Sequence, residues 1–201
     1  IGEVLTVLAA LLIWHQSPLL CMQMLWINLV TAGLPAIALG REAVENDVME
    51  QAPRPKSEGI FAHRLGLQVI LQGLMFGALT LGAFYLGYHW QGGALGIDGG
   101  RTMAFIVLAL SQVFHSFNMR SRHSLFKIGV FTNKYLNGAA LLAIGLTIAV
   151  ALIPPVAAAF GLIHLPVALY LIAVGLSLVP IPMLELAKAT GVVKHEKYLR
   201  K

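Results

Sequence analysis

Long apolar runs broken by short polar stretches set the pattern of this chain, and they predict a bundle of membrane-crossing helices. Ile1 to about Trp14 is apolar but short of the ~20 residues needed to cross the hydrocarbon core. It is expected to be the far half of a helix whose beginning lies upstream, so that the N-terminus is a cut through a larger protein. His15-Gln16-Ser17-Pro18 turns the chain into a full span, about Leu19 to Gly40. Leu65–Tyr88, Thr102 to about Asn118, Leu136 to about Pro154, and Val167 to about Ala187 are four more. Arg41–Arg64 is a polar loop with most of the acidic residues, and His89–Arg101 a glycine-rich loop. Residues 119–135 form a basic loop, Val156–Pro166 a short apolar connection, and residues 188–201 a basic tail. The predicted fold is an all-α membrane protein, a helical bundle of one partial and five full transmembrane helices. Gly66, Gly73, Gly77 and Gly82 on the second full span suit close helix packing.

Composition strengthens the membrane assignment. The chain has 201 residues, 58% hydrophobic and only 11% charged, where soluble domains carry roughly 25% charged residues. The net charge of +5 has no continuous basic face with interleaved aromatics behind it, so nucleic acid is set aside as a partner. The basic residues instead give orientation. The 41–64 loop holds Arg41, Arg54, Lys56 and Arg64; the 119–135 loop holds Arg120, Arg122, Lys127 and Lys134; the tail holds Lys188, Lys194, Lys197, Arg200 and Lys201. The other side holds only Arg101, and the positive-inside rule makes both loops and the tail cytoplasmic. Trp14, Tyr88 and Trp90 stand near the outer ends of spans, where interfacial aromatics belong. Cys21 is the single cysteine, which leaves neither a disulfide framework nor a thiol metal motif.

The candidate chemistry centres on the first full span. Asn28 and Thr31 lie three residues apart, on one face of a helix. Gly33 and Pro35 follow, and Pro35 has no backbone N–H for the carbonyl near Thr31. Such a broken helix can build a cation site at mid-depth, or it can be a proline kink whose polar groups bond to a neighbour. Glu3 is a carboxylate inside an apolar helix, a functional hypothesis by default, although it could simply pair with another buried polar group. On the third full span Ser111, Gln112, His115 and Asn118 form a polar stripe, in which Gln112 can offer a carbonyl oxygen to a hard cation. His115 is expected to be a hydrogen-bonded packing residue, with no second His or Cys at ligand spacing. Glu185 is expected to be structural. The available donors are oxygens, which suit calcium, magnesium, manganese or alkali ions over copper or zinc. The sequence holds no phosphate-cradling loop, hydrolytic triad or redox motif.

Leu25-Trp26-Ile27-Asn28-Leu29-Val30-Thr31-Ala32-Gly33-Leu34-Pro35-Ala36 resembles the sixth membrane helix of type II P-type cation ATPases, the calcium-pump group. Ile1-Gly2-Glu3 resembles the Gly-Glu of the fifth helix, Met49-Glu50-Gln51-Ala52-Pro53-Arg54-Pro55 the loop between helices six and seven, and Ser111-Gln112 the eighth helix where it contributes a ligand. The resemblance covers essentially the whole chain as helices five to ten of the transport domain. It implies that Glu3, Asn28, Thr31 and Gln112 are cation ligands. It also implies Ca2+ as the transported ion, and Mg2+ and ATP in pump domains N-terminal to this segment, with the plasma membrane as the location. One departure matters: Ala32 stands where the family normally places an Asp that bridges bound ions.

Three functional readings follow. The first is the membrane segment of a P-type pump that exports calcium from the cytoplasm. The second is a freestanding, non-catalytic membrane module derived from such a pump, or a pump for another cation, to which Ala32 is suited. The third, an unrelated secondary transporter, predicts an internal repeat that the sequence does not show.

Overall fold

The computed structural model describes residues 2–42, 65–121, 124–125 and 129–189. Helix α1 is Gly2–Trp14, α2 is Cys21–Leu39, α3 is Leu65–His89, and α4 is Gly96–Asn118. Helix α5 is Lys134–Leu152, α6 is Pro154–Ala159, α7 is Val167–Leu178, and α8 is Pro180–Ala189. Five segments are long and apolar enough to cross a membrane, with α7 and α8 together forming one of them, and α1 is a shorter apolar helix. No strand occurs among the described residues. The chain is thus a multi-pass helical membrane protein, as its long apolar runs predict. The greater part of the 41–64 loop and of the 188–201 tail, and part of the 119–135 loop, lie outside the described residues.

Helix α4 is the centre of the bundle. Every residue from Thr102 to Ser111 is buried, and α3, α7, α5, α1 and α2 surround the core to which it contributes most. A helix that is apolar all round belongs inside protein, whereas α1, α2 and α5 leave leucines and isoleucines exposed on the outside of the bundle. Hydroxyls in this apolar setting bond back along their own helices. Thr80 donates to Phe76 O and Thr147 to Ala143 O, each at 2.8 Å, and Ser177 donates to Ala173 O at 2.6 Å.

The third full span begins earlier than the pattern predicts. Gly96–Arg101, read as loop because of its glycines, is the first part of α4. The glycines serve packing there. A Cβ on Gly99 would lie 2.9 Å from Gly87 O, and one on Gly100 would lie 2.9 Å from Phe84 O. Backbone therefore meets backbone where α3 crosses α4, which only residues without a side chain allow. Gly82, by contrast, faces open space.

Prolines punctuate the C-terminal half. Ile153, extended at φ −81° and ψ 110°, ends α5 because it precedes Pro154, and Pro154 then opens α6 inside the stretch read as a plain connection. Pro180 and Pro182 remove helix donors near Val179, so the last span is two helices. Asn118 Nδ2 donates to the Pro180 carbonyl at 3.4 Å across that break.

Candidate functional site

Helix α2 is not α-helical throughout. Cys21–Trp26 is α, Ile27–Ala32 is a π-helical stretch, and Gly33–Leu39 is α again. Asn28, Thr31 and Ala32 all lie in the π stretch, and Gly33 and Pro35 in the α-helical turns that follow. The physical cause is at Pro35. It supplies no N–H to the Thr31 carbonyl and its ring crowds that turn, so the widening comes before the proline. Thr31 is buried, and its hydroxyl donates to Ile27 O at 2.8 Å.

Three helices meet at one carboxylate. Asn28 Nδ2 donates to Glu3 Oε2 at 2.7 Å and also to Met24 O at 2.9 Å. Gln112 Nε2 donates to Glu3 Oε1 at 3.1 Å. Each oxygen of Glu3 therefore holds one amide, from α2 on one side and α4 on the other. Glu3, Asn28, Thr31, Ala32, Pro35 and Gln112 line one cavity of about 370 Å³. His115 and Ser116 extend its wall along α4. The donor set is one carboxylate, two amides, a hydroxyl and the backbone of a widened turn. Among the described residues no three His, Cys, Asp or Glu gather as a metal cluster, so a cation here would depend on neutral oxygens beside Glu3. An amide that donates its NH2 to Glu3 can present its carbonyl oxygen to a cation after a half-turn about its last bond.

The other polar residues of the stripe go elsewhere. Ser111 donates to Leu108 O at 3.1 Å. His115 packs edge-on against Phe76, ring centres 5.1 Å apart, and its buried Nδ1 has no hydrogen-bond partner among the described residues. Packing is as predicted, but the expected hydrogen bond at that nitrogen is not made. Glu185 accepts from the Ser124 hydroxyl, from Leu125 N at 3.0 Å and from Lys188 Nζ at 3.3 Å. These bonds tie α8 to the segment after α4.

Two side-chain junctions escape the sequence reading. At one end of the bundle the buried Gln23 accepts from Leu20 N and donates to Phe160 O, both at 3.0 Å, while Trp26 sets its ring edge-on to Phe160 at 5.3 Å. Arg101 Nε donates to Ser17 O at 3.1 Å nearby in the turn before α2. At the other end, which is the basic end, Arg120 grips Glu42 through Nε at 3.0 Å and Nη2 at 2.8 Å. The interaction holds the Glu42 carboxyl below its usual range, with the Asn133 bond in support and partial burial opposing. Gln23 had a usable signal, an amide in an apolar helix. Arg120 and Glu42 did not, because charges at span ends read as topology markers.

Residues 16–190 match the family described as cation transporting ATPase, C-terminus. The chain is 39% identical over 180 residues to a calcium-transporting ATPase of Bacillus subtilis (strain 168), covering 90% of this chain and 20% of that protein. It is 36% identical over 201 residues to calcium-transporting ATPase 1 of Bacillus cereus, covering 93% of this chain and 22% of that protein. It is 36% identical over 194 residues to a calcium-transporting ATPase of Listeria monocytogenes, covering 94% and 21%. The chain thus spans about a fifth of the length of these curated relatives.

Proposed function

The chain belongs to the family of cation-transporting ATPase C-termini, and on that premise we propose that it is the membrane segment of an ATP-driven calcium pump. It supplies part of the intramembrane path for the cation, which is cargo. The observation that carries this reading is the convergence of α1, α2 and α4 on the Glu3 carboxylate beside the π-helical stretch. Glu3 attracts the cation, Asn28 and Gln112 rotate to offer carbonyl oxygens, and Thr31 adds a hydroxyl lone pair. Hard oxygen donors of this kind suit Ca2+.

Phosphoryl transfer from Mg2+-ATP belongs to domains outside this segment, and their conformational change opens the path to one side of the membrane and then the other. The basic end is cytoplasmic by the positive-inside rule, and the plasma membrane is the proposed location. Ala32 lines the cavity without a donor, so Glu3 supplies the charge that this segment brings to the site.

The test uses the full-length polypeptide bearing this sequence, in membranes. ATP hydrolysis stimulated by micromolar calcium, with calcium uptake into inside-out vesicles, is the expected result. Hydrolysis indifferent to calcium but stimulated by another cation would reassign the cargo. A native polypeptide no longer than this chain, without ATPase activity, would replace the pump by a freestanding module.

A further inference from the structure

Arg120 uses all five of its guanidinium N–H donors. Nε and Nη2 hold the two oxygens of Glu42, Nη2 also reaches Thr132 Oγ1, and Nη1 donates to Gly129 O at 2.9 Å and Val130 O at 2.8 Å. Its side chain is 2% exposed. Glu42 in turn accepts from Asn133 Nδ2, whose own Oδ1 caps α5 by accepting from Leu136 N at 2.9 Å. Charges are seldom buried this deeply at a span end where headgroups and water are within reach. The complete pairing means that the position of the group is specified, and not only its charge.

The location of this junction gives it a role. Gln112 and Arg120 belong to one rigid segment, α4 and the turn at its end, about 12 Å apart along the axis at ~1.5 Å per residue. Asn28, Thr31 and Glu42 belong to α2 and the turn at its end. The Arg120–Glu42 pair therefore joins the two helices that carry Gln112 and Asn28, and fixes how far one is slid along the other. From Gly33 to Leu39 the chain leading to the junction is α-helix, which transmits position and so fixes where the π stretch carrying Asn28 and Thr31 ends.

We propose that Arg120 is a positioning residue for the cation site. Through Glu42 it sets the axial register of α2 against α4, and so the placing of Asn28 and Thr31 opposite Gln112 around Glu3. The proposal rests on the pump reading above. A lysine could replace the charge but not the fork that holds both oxygens of Glu42 and two carbonyls at once.

The test is calcium-stimulated ATP hydrolysis by the full-length protein in membranes, comparing wild type with R120A, R120K, E42Q and the double variant R120A/E42Q. The half-saturating calcium concentration should rise about three- to tenfold in R120A, R120K and E42Q, while the maximal rate per phosphorylatable protein changes less than twofold. The double variant should be no worse than R120A alone. Unchanged half-saturation in R120K and E42Q, whatever their thermal stability, would reduce the junction to a structural clasp and overturn the proposal. R120K and E42Q decide the matter if R120A does not accumulate. A wild type without cation-stimulated hydrolysis would instead sink the pump reading, and this inference with it.

Discussion

Glu3 and Gln112 meet 109 residues apart in the chain, carboxylate oxygen to amide nitrogen at 3.1 Å, where α1 and α4 face the same cavity. Asn28 completes the arrangement from α2 at 2.7 Å. Glu3→Gln keeps the shape and removes the charge. A hydrogen bond or ligand interaction with a charged group contributes about 1.5–3 kcal/mol, so the half-saturating cation concentration should rise at least roughly tenfold. Cation titration of ATP hydrolysis checks this, and an unaltered curve would remove Glu3 from the ligand set.

Ala32→Asp puts a second carboxylate on the wall of the cavity that Glu3 lines. Two carboxylates repel without a cation and share one when it is bound. The variant should therefore show a lower melting temperature than wild type in chelator, a larger rise on adding calcium, and a lower half-saturating concentration. Thermal denaturation with and without calcium reads all but the last. A variant indifferent to calcium would mean that the cavity is built for another ion.

Gly87→Ala should destabilise the fold without touching cation affinity. Its Cβ would lie 2.4 Å from Gly99 O and 2.8 Å from Met103 Cγ, so α3 and α4 must part. Overpacking of this kind costs about 1–3 kcal/mol. Gly82→Ala, which meets nothing within 4 Å on the same helix, is the control and should be neutral or slightly stabilising. Melting temperatures in detergent or lipid compare the two, and equal values would refute the close α3–α4 crossing.

Acid should loosen the basic end of the bundle. The Arg120 hydrogen bond, supported by Asn133 against partial burial, lowers the Glu42 carboxyl from its ordinary 4.5. A carboxyl lowered in the folded state contributes stability that is fully present above pH 4.5 and is lost as the pH falls through the folded value. Wild type should therefore lose melting temperature below that pH. Glu42→Gln, which has no proton to take up there, should start lower and show a shallower acid limb. Identical limbs would place the acid sensitivity elsewhere.

Helix count was legible because lipid imposes it: a span must be long, apolar and closed on its own hydrogen bonds. Where the sequence misled, glycine was the cause. Gly99 and Gly100 look like loop residues until Gly87 and Phe84 are known to press against them, and that contact is long-range. Pro35 signalled a disturbed α2, but the kind of disturbance, a widened turn ending at Ala32, depends on the neighbours packed around it. Glu3, Asn28 and Gln112 stand out as polar groups in apolar helices, and the family resemblance groups them as cation ligands. That both amides donate to the one carboxylate required the bundle, as did the pairing of Arg120 with Glu42 across 78 residues.

The π stretch also sets a phase. A π turn holds one residue more than the α turns around it, so the helix after Ala32 is rotated by about 100° from where an unbroken α-helix would place it. Gln23 and Trp26 are docked in one phase, against Phe160 and Thr147; Ala38 and Glu42 are docked in the other, against Asn133 and Arg120. Removing any single residue between Ile27 and Ala32 would bring the two halves into step and leave one set of partners facing the wrong way. Substitutions there can be conservative in chemistry, but the number of residues between the two docking points is as much a part of the design as their identity.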